Sequence, residues 1–421
     1  MENTDDSSSL TTSELAERNF TRLVLDIAWF GLAVPATARF LSVYAIRLDA
    51  SPMLLGWLTA LPAIIALATS GLSAWWRRRH ATTVQAIVWP GLGYRFIFLL
   101  PAFTPFLPEA WQPWWLVLAV ALPAFPQGIS SVMFLVMLRE SVENSRITAL
   151  MSRRSLIFNV TVAVGTLAFG VWLEEAPFPL NYQVMFLAAF VFSLMSYLNV
   201  QRVQALAPEP VTPEPGAVAP VKPWKSLAFQ RVAFICIVMH VSFFTLSPII
   251  PLHLVDGLGA SEGFMSIFAV AELIAAAAMA ALTNRIVRRI GTRPTIAAGM
   301  FVTAVSSLIL ALTPYLPVTL FASALSGAGW TVAAISLFAF FSENTPADSL
   351  TPYSTLYNQI VMLSVFVGPI LGSQLASSSI DLTAVLLIGT VLRVIAALLI
   401  PLDLFGRPNR QRRAFSARGL K

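Results

Sequence analysis

Residues 268–282 read FAVAELIAAAAMAAL, an apolar run broken only by the carboxylate of Glu272. In hydrocarbon an ionised side chain costs about 2.5–3.5 kcal/mol on insertion scales. Burial drives a carboxyl group toward its neutral form. An acid so placed can take up a proton facing one side of a barrier and release it facing the other. Glu272 is therefore the candidate proton-coupling group. The structural alternative is a hydrogen bond or ion pair inside the C-terminal half, with Arg393 as the candidate partner. His240 sits in a second apolar run and titrates near neutrality, so it could relay protons or pair with Glu272. A packing histidine is the plain alternative. Arg39, four residues after Pro35, and Asp26 share a third run. Either could meet a charged ligand group, and Arg39 could instead extend its stem to the outer surface.

These residues need helices to hold them, and composition says which kind. The chain has 421 residues, 57% hydrophobic and 11% charged. A soluble domain is about a quarter charged. The apolar residues come in blocks long enough to cross a hydrocarbon core of about 30 Å. Segments of about ten residues with alternating polarity, the mark of a transmembrane barrel, are absent. The class is an all-α polytopic membrane protein. The net charge of +6 lies in short clusters between apolar blocks, which fits membrane topology and not nucleic acid. His80, His240 and His253 are too scattered for a metal site. No P-loop or nucleophile motif is present, so neither an enzyme nor a cofactor is expected. Cys236, the one cysteine, reads as a packing residue.

Twelve spans are expected, at 20–46, 53–75, 83–103, 113–138, 154–173, 182–202, 229–254, 262–284, 294–314, 318–341, 353–376 and 382–405. Glu272 then lies ten residues from the outer end of its helix, about 15 Å deep and near the bilayer middle. Of the Lys and Arg outside the spans, only Arg47 falls on the side opposite the termini. The positive-inside rule places both termini in the cytosol. Residues 1–19 form an acidic tail without the basic start of a signal peptide, with Thr11 to Glu14 as a possible capping box. A proline-rich linker, 204–228, separates six-helix bundles at 20–203 and 229–405, and a basic tail follows at 406–421. A bacterial inner membrane suits this plan.

The halves repeat. Moved forward by 210, residues 48–79 meet 258–289 without a gap: Leu48 and Ser51 on Leu258 and Ser261, Arg78–Arg79 on Arg288–Arg289. A weaker match at 202 joins Ser152 to Ser354 and Gly170 to Gly372. Parallel duplication is one of the plans of secondary transporters. The sequence resembles the major facilitator superfamily (MFS) from about residue 20 to 405. The family's gating loop after the second helix of each half reads roughly G-x-L-A-D-R-x-G-R-R. The second half keeps Leu282, Arg285, Arg288 and Arg289, with Asn284 in place of the acid. The first half keeps Gly71, Leu72, Arg78 and Arg79 and has no acid, so neither loop carries the acid of the family's latch.

The resemblance implies two bundles around a substrate cavity that opens to alternate sides. Helices 1, 4, 7 and 10 would line it, which places His240 on a cavity helix. Trp29, Gln127, Ser130, Trp330, Tyr357 and Asn358 become cavity candidates beside Asp26 and Arg39, each with packing as its alternative. Arg95 and Arg393, on outer helices, read as structural charges paired inside their bundles. A glycine-proline exporter signature in helix 5 is only weakly met, since the better copy, VGPILG at 367–372, is in helix 11. The expectation is a monomeric, proton-coupled exporter of a small amphipathic organic molecule. The alternatives are a nutrient importer of the same fold, and a receptor or scaffold that moves nothing.

Overall fold

A computed structural model describes residues 12–206, 223–346, 350–378 and 380–402. Most of the expected linker and all of the expected basic tail lie outside the described residues. Those residues hold twelve helices long and apolar enough to cross a membrane and no strand. They are α1 (Ser13–Arg47), α2 (Pro52–Ser70), α3 (Thr83–Phe106), α4 (Glu109–Leu138), α5 (Ala149–Glu175) and α6 (Leu180–Gln201) in the first half. In the second are α7 (Leu227–Gly257), α8 (Glu262–Ile290), α9 (Thr292–Leu312), α10 (Leu316–Glu343), α11 (Tyr353–Ser377) and α12 (Leu382–Leu399).

Short polar residues start several helices. Ser51, Thr82, Ser226 and Ser261 each accept a hydrogen bond from the backbone N–H three residues on. Asp381 accepts from the backbone N–H of Thr383, two residues on, and hydrogen bonding from the Thr383 side chain, then its backbone, lowers the Asp381 carboxyl pKa. The internal repeat has a local structural counterpart. Asp49 and Gly259 both adopt positive φ, 56° and 68°. In each case an alanine N–H behind it, Ala50 or Ala260, closes the preceding turn, and the capping serine follows. The same left-handed turn thus joins α1 to α2 and α7 to α8. The second copy carries one extra residue, taken up as a π-helical turn at His253–Gly257.

Some boundaries differ from expectation. Helix already runs from Thr12, because buried Asn19 ties that turn to the carbonyls of Ser141 and Gln204. The second span stops at Ser70 instead of 75. The hydroxyls of Ser70 and Ser73 bond to backbone carbonyls three residues back, and a short separate helix, Ser73–Arg77, follows. In contrast α8 runs on to Ile290, with Arg288 and Arg289 in its last turn complementing the helix dipole. Gly291, at φ 90°, then turns the chain into α9.

We call the end bearing Arg77–Arg79 and Arg285–Arg289 the basic end, and the opposite one, bearing Arg47, the far end. The core differs between them. At the far end one buried apolar cluster takes Phe40 and Tyr44 from α1 together with Leu246 and Leu252 from α7. At the basic end each half has its own: Leu23, Ile129 and Met137 in the first, Phe229, Met239 and Tyr353 in the second. The halves pack α2 on α11 and α5 on α8. Toward the basic end these helices lose their cover. Ala277, Ala278, Ala280, Ala281 and Leu282 of α8 are exposed, as are Met151, Ser152, Arg153, Leu156 and Val160 of α5. That covers more of each helix than a lipid-facing stripe needs, so the bundles are parted at the basic end and joined at the far end.

Candidate functional site

Polar contacts bind the two halves at the far end. Arg47 grips Glu262 through two bonds, Nε to Oε1 at 2.9 Å and Nη2 to Oε2 at 3.1 Å. The Tyr182 hydroxyl donates to the same carboxylate at 3.0 Å. Glu174 of α5 accepts the Gly263 backbone N–H at 2.9 Å, at the start of α8. Planar guanidinium and carboxylate groups meeting at two points define one orientation as well as an attraction.

Deeper in the seam, Arg39 Nη1 donates to Glu272 Oε2 at 2.7 Å. Arg39 is on α1 and Glu272 on α8, so this ion pair joins the halves. Its side chains are 29% and 24% exposed, so the pair borders open space. Glu272 lies ten residues into α8, about 15 Å at 1.5 Å per residue. Two sequence features set the geometry. Proline 35 lies inside α1, and the helix is interrupted at Arg39 before resuming at Phe40. Gly327 of α10 lies under the Glu272 backbone, where a Cβ would overlap its carbonyl oxygen. The glycine lets α10 approach α8 at this level. The Arg393 alternative does not hold. Arg393 is buried and donates to the carbonyls of Thr303 and Phe243, over the Phe243 ring.

His240 contacts other groups. Its Nδ1 lies 2.9 Å from the Cys236 carbonyl, so that nitrogen carries the proton. Its ring meets Trp330 edge-on and stacks on Phe244. Trp330 also stacks on Phe243, with centroids 4.0 Å apart. His240, Trp330 and Arg393 thus share one aromatic cluster. Tyr357 stacks on Phe341, Trp29 stacks on Phe192 of α6, and Asn358 is exposed.

Asp26, Gln127 and Ser130 come together elsewhere. They line a cavity of about 450 Å³ within the first half, with walls from α1, α3, α4, α5 and α6. Asp26 accepts from Arg154 Nη1 at 3.0 Å and from the Ser196 hydroxyl at 2.6 Å. Arg95 donates to the Ser193 and Gly91 carbonyls and to Ser196, and lies over the Tyr197 ring. Arg154, the first residue of the expected fifth span, is buried in α5, because Asp26 would otherwise be a charge without a partner.

In the gating loops Gly71, Arg78, Asn284, Arg285, Arg288 and Arg289 are exposed, and Arg79 lies over the Trp75 ring at 3.8 Å. Sequence reasoning missed Glu174, Tyr182, Glu262 and Gly327. Arg47 alone carried a signal, as the one basic residue on its side.

Solved structures share this architecture. An auto-inhibited POT family peptide transporter superposes with a TM-score of 0.70 at 11% identity, covering 94% of this chain and 98% of that one. A bacterial homologue of the iron transporter ferroportin, in an inward-facing state, gives 0.68 at 14%, covering 91% and 98%. The nucleoside transporter NupG gives 0.64 at 14%, covering 92% and 98%. At such identities the likeness concerns the fold. None of the curated proteins compared with the chain matches it. With twelve spans in two six-helix bundles and a family match over residues 23–369 and 232–420, the chain belongs to the Major Facilitator Superfamily and is a transporter, not an enzyme.

Proposed function

We propose that the chain is a proton-coupled secondary transporter that exports a small amphipathic organic molecule by alternating access, and that the structure is its inward-open state. The observation that carries the reading is the Arg39–Glu272 ion pair, which bridges the halves at mid-depth beside open space. While the far end is closed, Arg39 neutralises Glu272. Opening the far end moves α1 away from α8 and removes that cation. A lone carboxylate at this depth costs about 2.5–3.5 kcal/mol, and a proton taken from the far side relieves it. Closing the far end returns Arg39, which displaces the proton toward the basic end. The proton and the rocking of the halves are thereby exchanged one for the other.

The positive-inside rule supports placing the basic end in the cytosol of a bacterial inner membrane, with the protein acting as a monomer. The apolar and aromatic character of the His240–Trp330–Phe243 cluster supports an amphipathic cargo over a sugar. His240 serves there as a wall of the cargo path. The test is flux in proteoliposomes under an imposed pH gradient. The intact protein moves cargo outward against the proton gradient, and Glu272→Gln abolishes gradient-driven flux while leaving exchange without a gradient. Gradient-driven flux unchanged in Glu272→Gln would refute the coupling role, and accumulation in the direction of proton entry would favour the importer.

A further inference from the structure

The cavity in the first half carries polar groups that the rocking mechanism does not use. The Tyr94 hydroxyl, the Gln127 side-chain amide and the Ser130 hydroxyl all line it, and none makes a hydrogen bond among the described residues. Ser130 is 9% exposed, so its hydroxyl has little but the cavity to face. Tyr94 and Gln127 are half-buried and Ser130 is buried, and three polar groups without a protein partner around one space are complementary to a guest that brings its own.

Charge narrows the guest. One carboxylate, Asp26, serves two buried guanidiniums, Arg154 and Arg95. The three nitrogens of Arg95 donate only to neutral oxygens. The other titratable groups on the wall are the phenols of Tyr94 and Tyr197, the latter bonded to the Val88 carbonyl. The cluster therefore has one positive charge in excess, and in a low-dielectric interior such a charge favours an anion strongly. Phe30, Phe134 and Leu135 supply apolar wall. A volume of about 450 Å³ falls in the usual range for small-molecule sites.

We propose that this cavity binds a small amphipathic organic monoanion. Its acidic head sits against Arg154, with Gln127 and Ser130 donating to it, and its apolar body lies along the phenylalanines. The proposal rests on the transport reading and deepens it by giving the cargo a charge class, and it adds a binding site for that cargo in the first half, apart from the path past His240.

The test is equilibrium binding to the full chain in nanodiscs, with empty discs subtracted and no gradient imposed. Octanoate, octanol and octylammonium share one apolar body and differ in the head. Octanoate is expected to bind at least about tenfold tighter than the other two, the worth of a charge-assisted hydrogen bond. The double substitution Gln127→Leu with Ser130→Ala should remove most of that margin while octanol binding stays unchanged. Gly91→Ala is a second probe. A Cβ at Gly91 meets only ordinary contacts, 3.7 Å to Arg95 and to Tyr197, so the fold tolerates it while the cavity shrinks. It should weaken all three ligands. Octanoate binding no tighter than octanol, or octanoate affinity untouched by either variant, would overturn the proposal. Because binding needs no turnover, that failure would leave the proton-coupling test unaffected, and the reverse holds too.

Discussion

Gly170 of α5 packs against Ser266 of α8 with no room for a Cβ between them. Gly56 of α2 packs in the same way against Ser373 of α11. The two contacts are related by the internal repeat: an offset of 210 carries Gly56 onto Ser266, and an offset of 202 carries Gly170 onto Gly372, next to Ser373. On α2 and α8 the glycine of one copy is a serine in the other, while on α5 and α11 both copies keep the glycine and the serine lies one residue on. Each crossing keeps one residue without a side chain, which lets the halves close at the far end through backbone-to-helix contact.

Filling either contact should hold the far end apart. Gly170→Val and Gly56→Val are expected to shift the resting state toward an open far end. Spin labels on Leu48→Cys and Leu258→Cys, on the two related turns, would show a longer distance in both variants. Buried Cys236 should not interfere with labelling. An unchanged distance would mean that these crossings do not set the closed state.

The Arg47–Glu262 pair makes a reciprocal prediction. Arg47→Glu places two carboxylates together beside Tyr182 and should open the far end and cut transport. Combining it with Glu262→Arg restores the attraction, so the double variant should recover much of the flux. Recovery in the double but not in either single variant is the signature of direct pairing.

Asp26 and Arg154 are both nearly buried. Removing one partner leaves the other as an uncompensated charge, at a cost of about 3–5 kcal/mol. Asp26→Leu should therefore lower the thermal unfolding midpoint sharply. Asp26→Leu combined with Arg154→Met should recover most of the loss, since an apolar pair of similar volume has no charge to desolvate. Additive losses in a thermal melt would contradict this account of the pair.

Gly327→Leu should be costly for a different reason. Its side chain would drive into the backbone of α8 at Glu272, and overpacking of this kind costs about 1–3 kcal/mol. The expected outcome is a lower melting midpoint together with loss of proton-driven flux, because Glu272 is pushed out of register with Arg39. Glycine 71, exposed and without close neighbours, is the control, and Gly71→Ala should melt like the parent.

Much of this molecule could be read from the chain. Apolar runs of span length and the repeat that sets Ser51 on Ser261 are short-range properties, and hydrocarbon leaves a backbone few options but the helix. The difficult residues, Glu272, Asp26, Arg39, Arg95 and Arg393, were conspicuous for the same reason: each is a charge where charge is expensive. Their partners were not legible. Glu272 meets Arg39 across 233 positions, and Asp26 meets Arg154 across 128. Arg154 stands beside Arg153 at the start of the expected fifth span, and nothing local distinguishes the two. Sequence alone determined which segments cross the membrane and which side chains need neutralising. Only the packing of helices, within each bundle and between the two, decided what neutralises them, because helices with similar apolar faces can be set side by side in many ways, and glycines such as Gly56, Gly170 and Gly327 allow close approach at particular levels.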